Sequence, residues 1–117
     1  MKEKFKREVY VYRDYFWDFY NEQNEDVQTK IDWVIKLIEE VQMVPGKYFK
    51  HIEGIDGMYE IRVQKGSDIF RIFCFFDEGN LIVLVNGFQK KTDRTPIGEI
   101  ERALRLKKEY YNEKNKS

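Results

Sequence analysis

The sequence predicts a single α+β domain, and three observations carry that prediction. Val27, Ile31, Val34, Ile35, Ile38 and Val41 form an apolar stripe at helical spacing that stops before Pro45-Gly46. Between Met58 and Thr92, three runs rich in β-branched and aromatic residues are separated by two glycine-containing turns, the pattern of antiparallel strands. Thr95 and Pro96 then open a last helical stretch, with Thr95 suited to cap it and Pro96 to its first turn. Helices and strands segregated along the chain in this way point to α+β rather than to an alternating α/β fold.

Taken in order, Arg7 to Tyr12 sets Glu8, Tyr10 and Tyr12 against Val9 and Val11, the alternation of a short strand. From Arg13 to Gln23 the residues Phe16, Phe19, Tyr20 and Gln23 recur at helical spacing, and Asn24 suits the N-cap of the second helix. So short a break between two helices predicts a helical hairpin laid on a sheet. Residues 44–57 lack a clean period and hold Pro45, Gly46, Gly54 and Gly57; they read as a connecting loop with room for a short turn or extended piece.

The sheet follows. In Lys65-Gly66-Ser67-Asp68 a glycine at the first central position suits a two-residue type II′ hairpin, and that turn fixes the register. Arg62 is then predicted directly across from Arg71, with Ile61 facing Ile72 and Val63 facing Phe70 on the other side of the sheet. Like charges opposite each other are unfavourable, on the roughly 0.2 to 1 kcal/mol scale of cross-strand pairs, unless an anion sits between them. Two facing arginines are therefore a candidate phosphate clamp. Glu60, two residues along on the same face, offers the alternative of an internal ion pair. Ile69 to Phe76 is apolar on both faces and belongs mid-sheet, with Cys74 a small core residue. Tyr59 is expected to pack on the side of Ile61. Asp77-Glu78-Gly79-Asn80 is a turn, and Leu81 to Phe88 is a third strand. Lys90, Lys91 and Arg94 follow in a polar loop. In the last helix Ile97, Ile100, Ala103, Leu104 and Tyr111 can line one side. One domain over residues 1–117 is expected, with about residues 112–117 a frayed tail.

Composition narrows the function classes. The 117 residues are 42% hydrophobic and 16% aromatic, enough to build a core. A single cysteine cannot form an internal disulfide, and a start as polar as MKEKFKREVY is not expected to be a signal peptide. No apolar run approaches a membrane span, so a cytoplasmic protein without a membrane partner is expected. Lysine plus arginine equals aspartate plus glutamate at 21 each, so bulk charge carries no argument for nucleic acid. Its distribution does: residues 14–40 hold eight acidic and two basic residues, against fourteen basic and eleven acidic in residues 41–117. That asymmetry suits one anion-binding face and another face that meets a basic partner.

Four blocks in order carry a resemblance. Lys50-His51-Ile52-Glu53-Gly54, then Gly57-Met58-Tyr59-Glu60-Ile61-Arg62-Val63, then Phe70-Arg71-Ile72-Phe73, and finally Gly87-Phe88-Gln89-Lys90-Lys91-Thr92, look like the toxins of type II toxin–antitoxin systems in the RelE/ParE superfamily. The chain most resembles the HigB-like, phage-related branch. The resemblance implies a RelE-like β-α-α-β-β-β-α fold, with an antiparallel-rich sheet, an N-terminal helical hairpin and a C-terminal helix. It also implies a cytoplasmic endoribonuclease, an mRNA interferase that enters the ribosomal A site and cleaves mRNA by 2′-OH attack on the adjacent phosphate. No metal or other cofactor is implied. The implied partner is a cognate helix-turn-helix antitoxin, HigA-like, for which the acidic hairpin of residues 14–40 is a reasonable docking surface.

Such a reaction needs a base for the 2′-OH, an acid or electrostatic help for the leaving 5′-oxygen, and cations for the phosphorane-like transition state. Arg62 and Arg71 suit the last role and, staying protonated, cannot be the base. For proton transfer the candidates are Lys50, His51, Lys90 and Lys91, a lysine serving as base only where burial or nearby cations depress its pKa. Phe88 is a candidate for stacking on a base, and Arg94 for RNA binding. Two other readings stand beside this one: a ParE-like DNA gyrase inhibitor, and a non-catalytic phage-derived binding module. A gyrase binder has no need for the set Arg62, Arg71, Lys90 and Lys91, whereas the binding module would hold an antitoxin or RNA without causing growth arrest.

Overall fold

A computed structural model describes residues 5–116. Its elements are β1 (Glu8–Val11), α1 (Tyr15–Asn21), α2 (Glu25–Glu40), β2 (Phe49–His51), β3 (Tyr59–Lys65), β4 (Asp68–Phe76), β5 (Leu81–Lys90) and α3 (Ile97–Asn115). The fold is α+β: one five-stranded sheet in the order β1-β5-β4-β3-β2, parallel only between β1 and β5, with three helices. Among the described residues no helix is long and apolar enough to cross a membrane.

The sheet is a wall with a different core on each side. The stripe of α2 lays Val27, Ile31, Val34 and Ile38 on one face, where α1 adds Phe16 and Phe19 and the strands add Ile61, Ile72 and Leu84. On the other face Ala103 and Leu106 of α3 meet Met58, Phe73, Phe75, Val83 and Val85. β4 alternates between the two, which is why it reads as apolar throughout and sits at the centre of the sheet. Cys74 is fully buried there, and burial pushes its thiol pKa up. Tyr59 packs on the hairpin side as expected, its ring stacked on Phe49 with centroids 5.2 Å apart.

Local chemistry sets the boundaries. Asn24 caps α2, its side chain accepting from Val27 N–H at 3.0 Å. The C-terminus of α2 has no basic residue of its own in its last turn. Arg7 supplies the charge from a distance: Nη1 donates to the carbonyls of Ile38 and Val41 at 2.8 and 2.7 Å, and Nη2 to Gln42 at 2.8 Å. Between β3 and β4, Gly66 has φ of +61° while Ser67 is not left-handed, as a type II′ turn requires. The predicted register follows, with Arg62 across from Arg71.

Several expectations give way. The extended piece for which residues 44–57 left room is a strand, β2, paired antiparallel with β3, and with it the element order becomes β-α-α-β-β-β-β-α rather than β-α-α-β-β-β-α. The first helix is shorter than Arg13 to Gln23. At the other end, Pro96 rather than Thr95 occupies the N-cap of α3, with no side-chain cap bond. Ile100, Ala103 and Tyr111 pack against the sheet as expected, but Ile97 and Leu104 are exposed, and Leu106 is buried in their place. The stretch expected to fray is helical to Asn115, because Tyr110 and Tyr111 pack on Phe75 and Lys114 pairs with Asp77. Residue 117 of that tail lies outside the described residues.

The third strand extends to Lys90 and is bulged. Ile72 pairs with Gly87 and Cys74 with Leu84, so Val85 and Asn86 together oppose Phe73. A Cβ at Gly87 would stand 2.5 Å from the Phe19 ring, which is the close approach that glycine permits here. Buried Asn86 donates to the Glu99 backbone carbonyl and to Glu99 Oε1 at 3.1 and 3.0 Å, tying the bulge to the first turn of α3.

Candidate functional site

Residues paired directly across strands share a face of the sheet. On the face that carries α3, the register therefore builds three rows: Lys50, Glu60 and Phe73; Arg62, Arg71 and Phe88; Gln64, Ile69 and Lys90. α3 packs mainly over β4 and β5, so the β3 side of this face is where the two arginines meet solvent.

Arg71 is 6% exposed, and the Arg62 side chain 29%. Each is anchored by Nη1, Arg62 donating to the Gly46 carbonyl at 3.2 Å and Arg71 to the Phe70 carbonyl at 3.1 Å. Glu60 Oε1 stands 3.3 Å from Arg62 Nε and 3.7 Å from Arg71 Nε. The internal ion pair weighed in the sequence thus exists, and it reaches both arginines. Yet both Nε–H groups are buried without a hydrogen bond, the carboxylate being misaligned for one and too far for the other. Burial, and then the charge of Arg62, lower the Arg71 pKa, while Glu60 opposes them. The guanidinium stays protonated. One carboxylate between two guanidiniums leaves net positive charge, and a cleft lined by Lys47, Arg62, Val63, Gln64 and Arg71 opens beside them.

The other sequence candidates divide. Lys50 lies across from Glu60, exposed and on the site's face, and Lys90 stands one row beyond Arg71. His51 points away: it shares the opposite face with Tyr59, their rings perpendicular and 5.2 Å apart. Phe88 is 9% exposed and packs edge-on against Phe73, which leaves little ring for a base to stack on. Lys91 and Arg94 lie in the exposed loop after β5, where Thr92 Oγ1 donates to the Arg94 carbonyl, and no contact links them to the arginine pair. Lys47 was not singled out in the sequence. It sits in a stretch without periodicity, which the pairing of β2 with β3 and the hydrogen bonds from Arg62 to the Gly46 and Tyr48 carbonyls hold beside the cleft. Among the described residues no group of three or more His, Cys, Asp or Glu converges as a metal site.

A family model described as "Phage derived protein Gp49-like (DUF891)" matches residues 18–108. The chain belongs to this Gp49-like family. It is a RelE/HigB-like toxin family, related to RelE-type endoribonuclease toxins. The matched span contains the arginine pair, Glu60 and all four strands that carry the site, and leaves out β1 and the end of α3. No curated protein matches the chain.

Proposed function

We propose that this Gp49-like protein is the toxin of a type II toxin–antitoxin system, of the HigB-like branch, and a ribosome-dependent mRNA endonuclease. The observation that carries the reading is the facing pair Arg62 and Arg71, with two buried Nε–H donors that lack hydrogen bonds in a cationic cleft. A phosphate presents oxygens on several sides and can meet both forks, which one misaligned carboxylate does not. In the step proposed, the 2′-hydroxyl of one nucleotide attacks the adjacent phosphorus and the bond to the 5′-oxygen breaks. The products carry a 2′,3′-cyclic phosphate and a 5′-hydroxyl. Arg62 and Arg71 hold the charge that builds on the non-bridging oxygens. Lys50 and Lys90 are the two proton-transfer candidates that share the arginines' face: one, as the free amine, takes the 2′-OH proton, and the ammonium of the other gives one to the leaving 5′-oxygen. The step balances without a further reactant.

The A site of the ribosome, the mRNA within it, and a helix-turn-helix antitoxin are the proposed partners, in the cytoplasm. The test is purified protein added to translating ribosomes, read by primer extension. Discrete mRNA ends bearing cyclic phosphate support the reading. Growth arrest with intact mRNA would reject it in favour of an inhibitor such as a gyrase binder, which has no use for the arginine pair.

A further inference from the structure

The cleft at the arginines continues around the β3 edge into a groove lined by Lys30, Lys47, Tyr48, Arg62, Gln64 and Gly66. Lys47, Arg62 and Gln64 belong to both, so the two form one track. At its outer end stands a cluster of rings and ammoniums. Trp33 and Tyr48 meet edge to face with centroids 5.3 Å apart. Lys30 Nζ lies 4.8 Å from the Trp33 ring centre, and Lys47 Nζ 5.0 Å from that of Tyr48. No described carboxylate comes within ion-pair distance of either ammonium. Trp33 is 48% exposed.

Residues 14–40 contain only two basic residues, Lys30 and Lys36, and one of them is turned to this groove beside an exposed indole. Cations alone would suit any acidic partner. An exposed indole with Lys30 against it, in contact with Tyr48 at the end of a groove that runs into the arginine cleft, suits an unpaired nucleotide, whose base stacks while its phosphate is neutralised.

We propose that Trp33, Tyr48, Lys30 and Lys47 form a second nucleotide subsite, which holds a single-stranded RNA residue flanking the phosphate at Arg62 and Arg71. This rests on the reading of the chain as an RNA-acting toxin. The base lies on Trp33, and the backbone runs past Lys30 and Lys47 to Arg62. A duplex, whose bases are already stacked, is refused.

The probe is a 2′-O-methyl oligoadenylate, which lacks the attacking hydroxyl and so binds without being cut. Trp33 is one of two tryptophans, so a Trp17→Phe background isolates its fluorescence. Saturable quenching is expected. In anisotropy titrations Trp33→Ala should weaken binding roughly tenfold and Trp33→Phe should recover most of it. Lys30→Ala with Lys47→Ala should reduce the slope of log affinity against log salt by about 1.4. Unquenched Trp33, or unchanged affinity in Trp33→Ala, overturns the subsite. Equal quenching by polyglutamate also overturns it and assigns the groove to an acidic protein. Quenching with intact mRNA on ribosomes leaves the subsite standing and removes the cleavage reading. Cleavage that is indifferent to Trp33→Ala does the reverse.

Discussion

Two carboxylates in this protein each sit between two hydrogen-bond donors, and they are satisfied to very different degrees. Asp77, at the turn between β4 and β5, accepts from Tyr110 Oη at 2.6 Å and from Lys114 Nζ at 2.7 Å, and its side chain is only 5% exposed. Glu60 stands near two guanidiniums whose Nε–H groups remain without a hydrogen bond. The first cluster is complete as it stands, and it fastens the C-terminal half of α3 to the sheet. The second spends burial on cations it does not fully pair, which costs stability unless something else uses them. That contrast separates a polar cluster serving the fold from one left open to a ligand.

The comparison can be broken most sharply at Arg71. Arg71→Ala should lower cleavage on ribosomes by about 100-fold or more, the scale of losing a transition-state donor, with the protein still folded by circular dichroism. Arg62→Ala, which removes the more exposed partner, should cost roughly tenfold. Asp77→Ala should do the opposite. It should lower unfolding free energy in urea by roughly 1 to 3 kcal/mol, since Tyr110 loses a buried acceptor, while cleavage per folded molecule is unchanged. If Arg71→Ala merely destabilised and Asp77→Ala merely inactivated, the contrast would be inverted.

Acid sharpens it further. The Lys114 ammonium, and then the Tyr110 hydroxyl, hold the Asp77 carboxyl below its ordinary value. A depressed carboxylate contributes stability that is present above its unfolded pKa and lost as pH falls through the folded one. Urea melts between about pH 5 and pH 2 should therefore show an acid-dependent loss that Asp77→Asn flattens. The smallest effect is expected at His51. On the opposite face from the arginines, His51→Ala should leave cleavage within about threefold.

The sequence carried the arginine pair because two local signals agreed: Gly66 named the turn, and strict alternation on either side named the faces. It did not carry the fate of His51. That depends on β2, three residues whose pairing is set by the neighbouring strand and not by any pattern of their own. Phe88 was similarly hidden. The run from Leu81 to Phe88 is apolar in succession, so nothing in it marks the bulge at Val85 and Asn86 that turns Phe88 to the α3 side. In α3 the expected side is right at Ile100, Ala103 and Tyr111 but includes exposed Ile97 and Leu104 and omits buried Leu106, because hydrophobicity alone does not say which apolar residues a helix buries. Lys30 and Trp33 lie in a helix read for its apolar stripe and its net charge, and neither reading marks them.

The parallel pairing of β1 with β5 has a consequence in time. Residues 8–11 are made well before residues 81–84, their only strand neighbours among the described residues. During synthesis, the hairpin of β3 and β4 can form from local contacts while β1 waits for most of the chain to emerge. Arg7, which closes the end of α2, docks with it. β1, translated before β3 and β4, is thus placed after their hairpin, and a nascent chain holds the arginine hairpin before the sheet around it is closed.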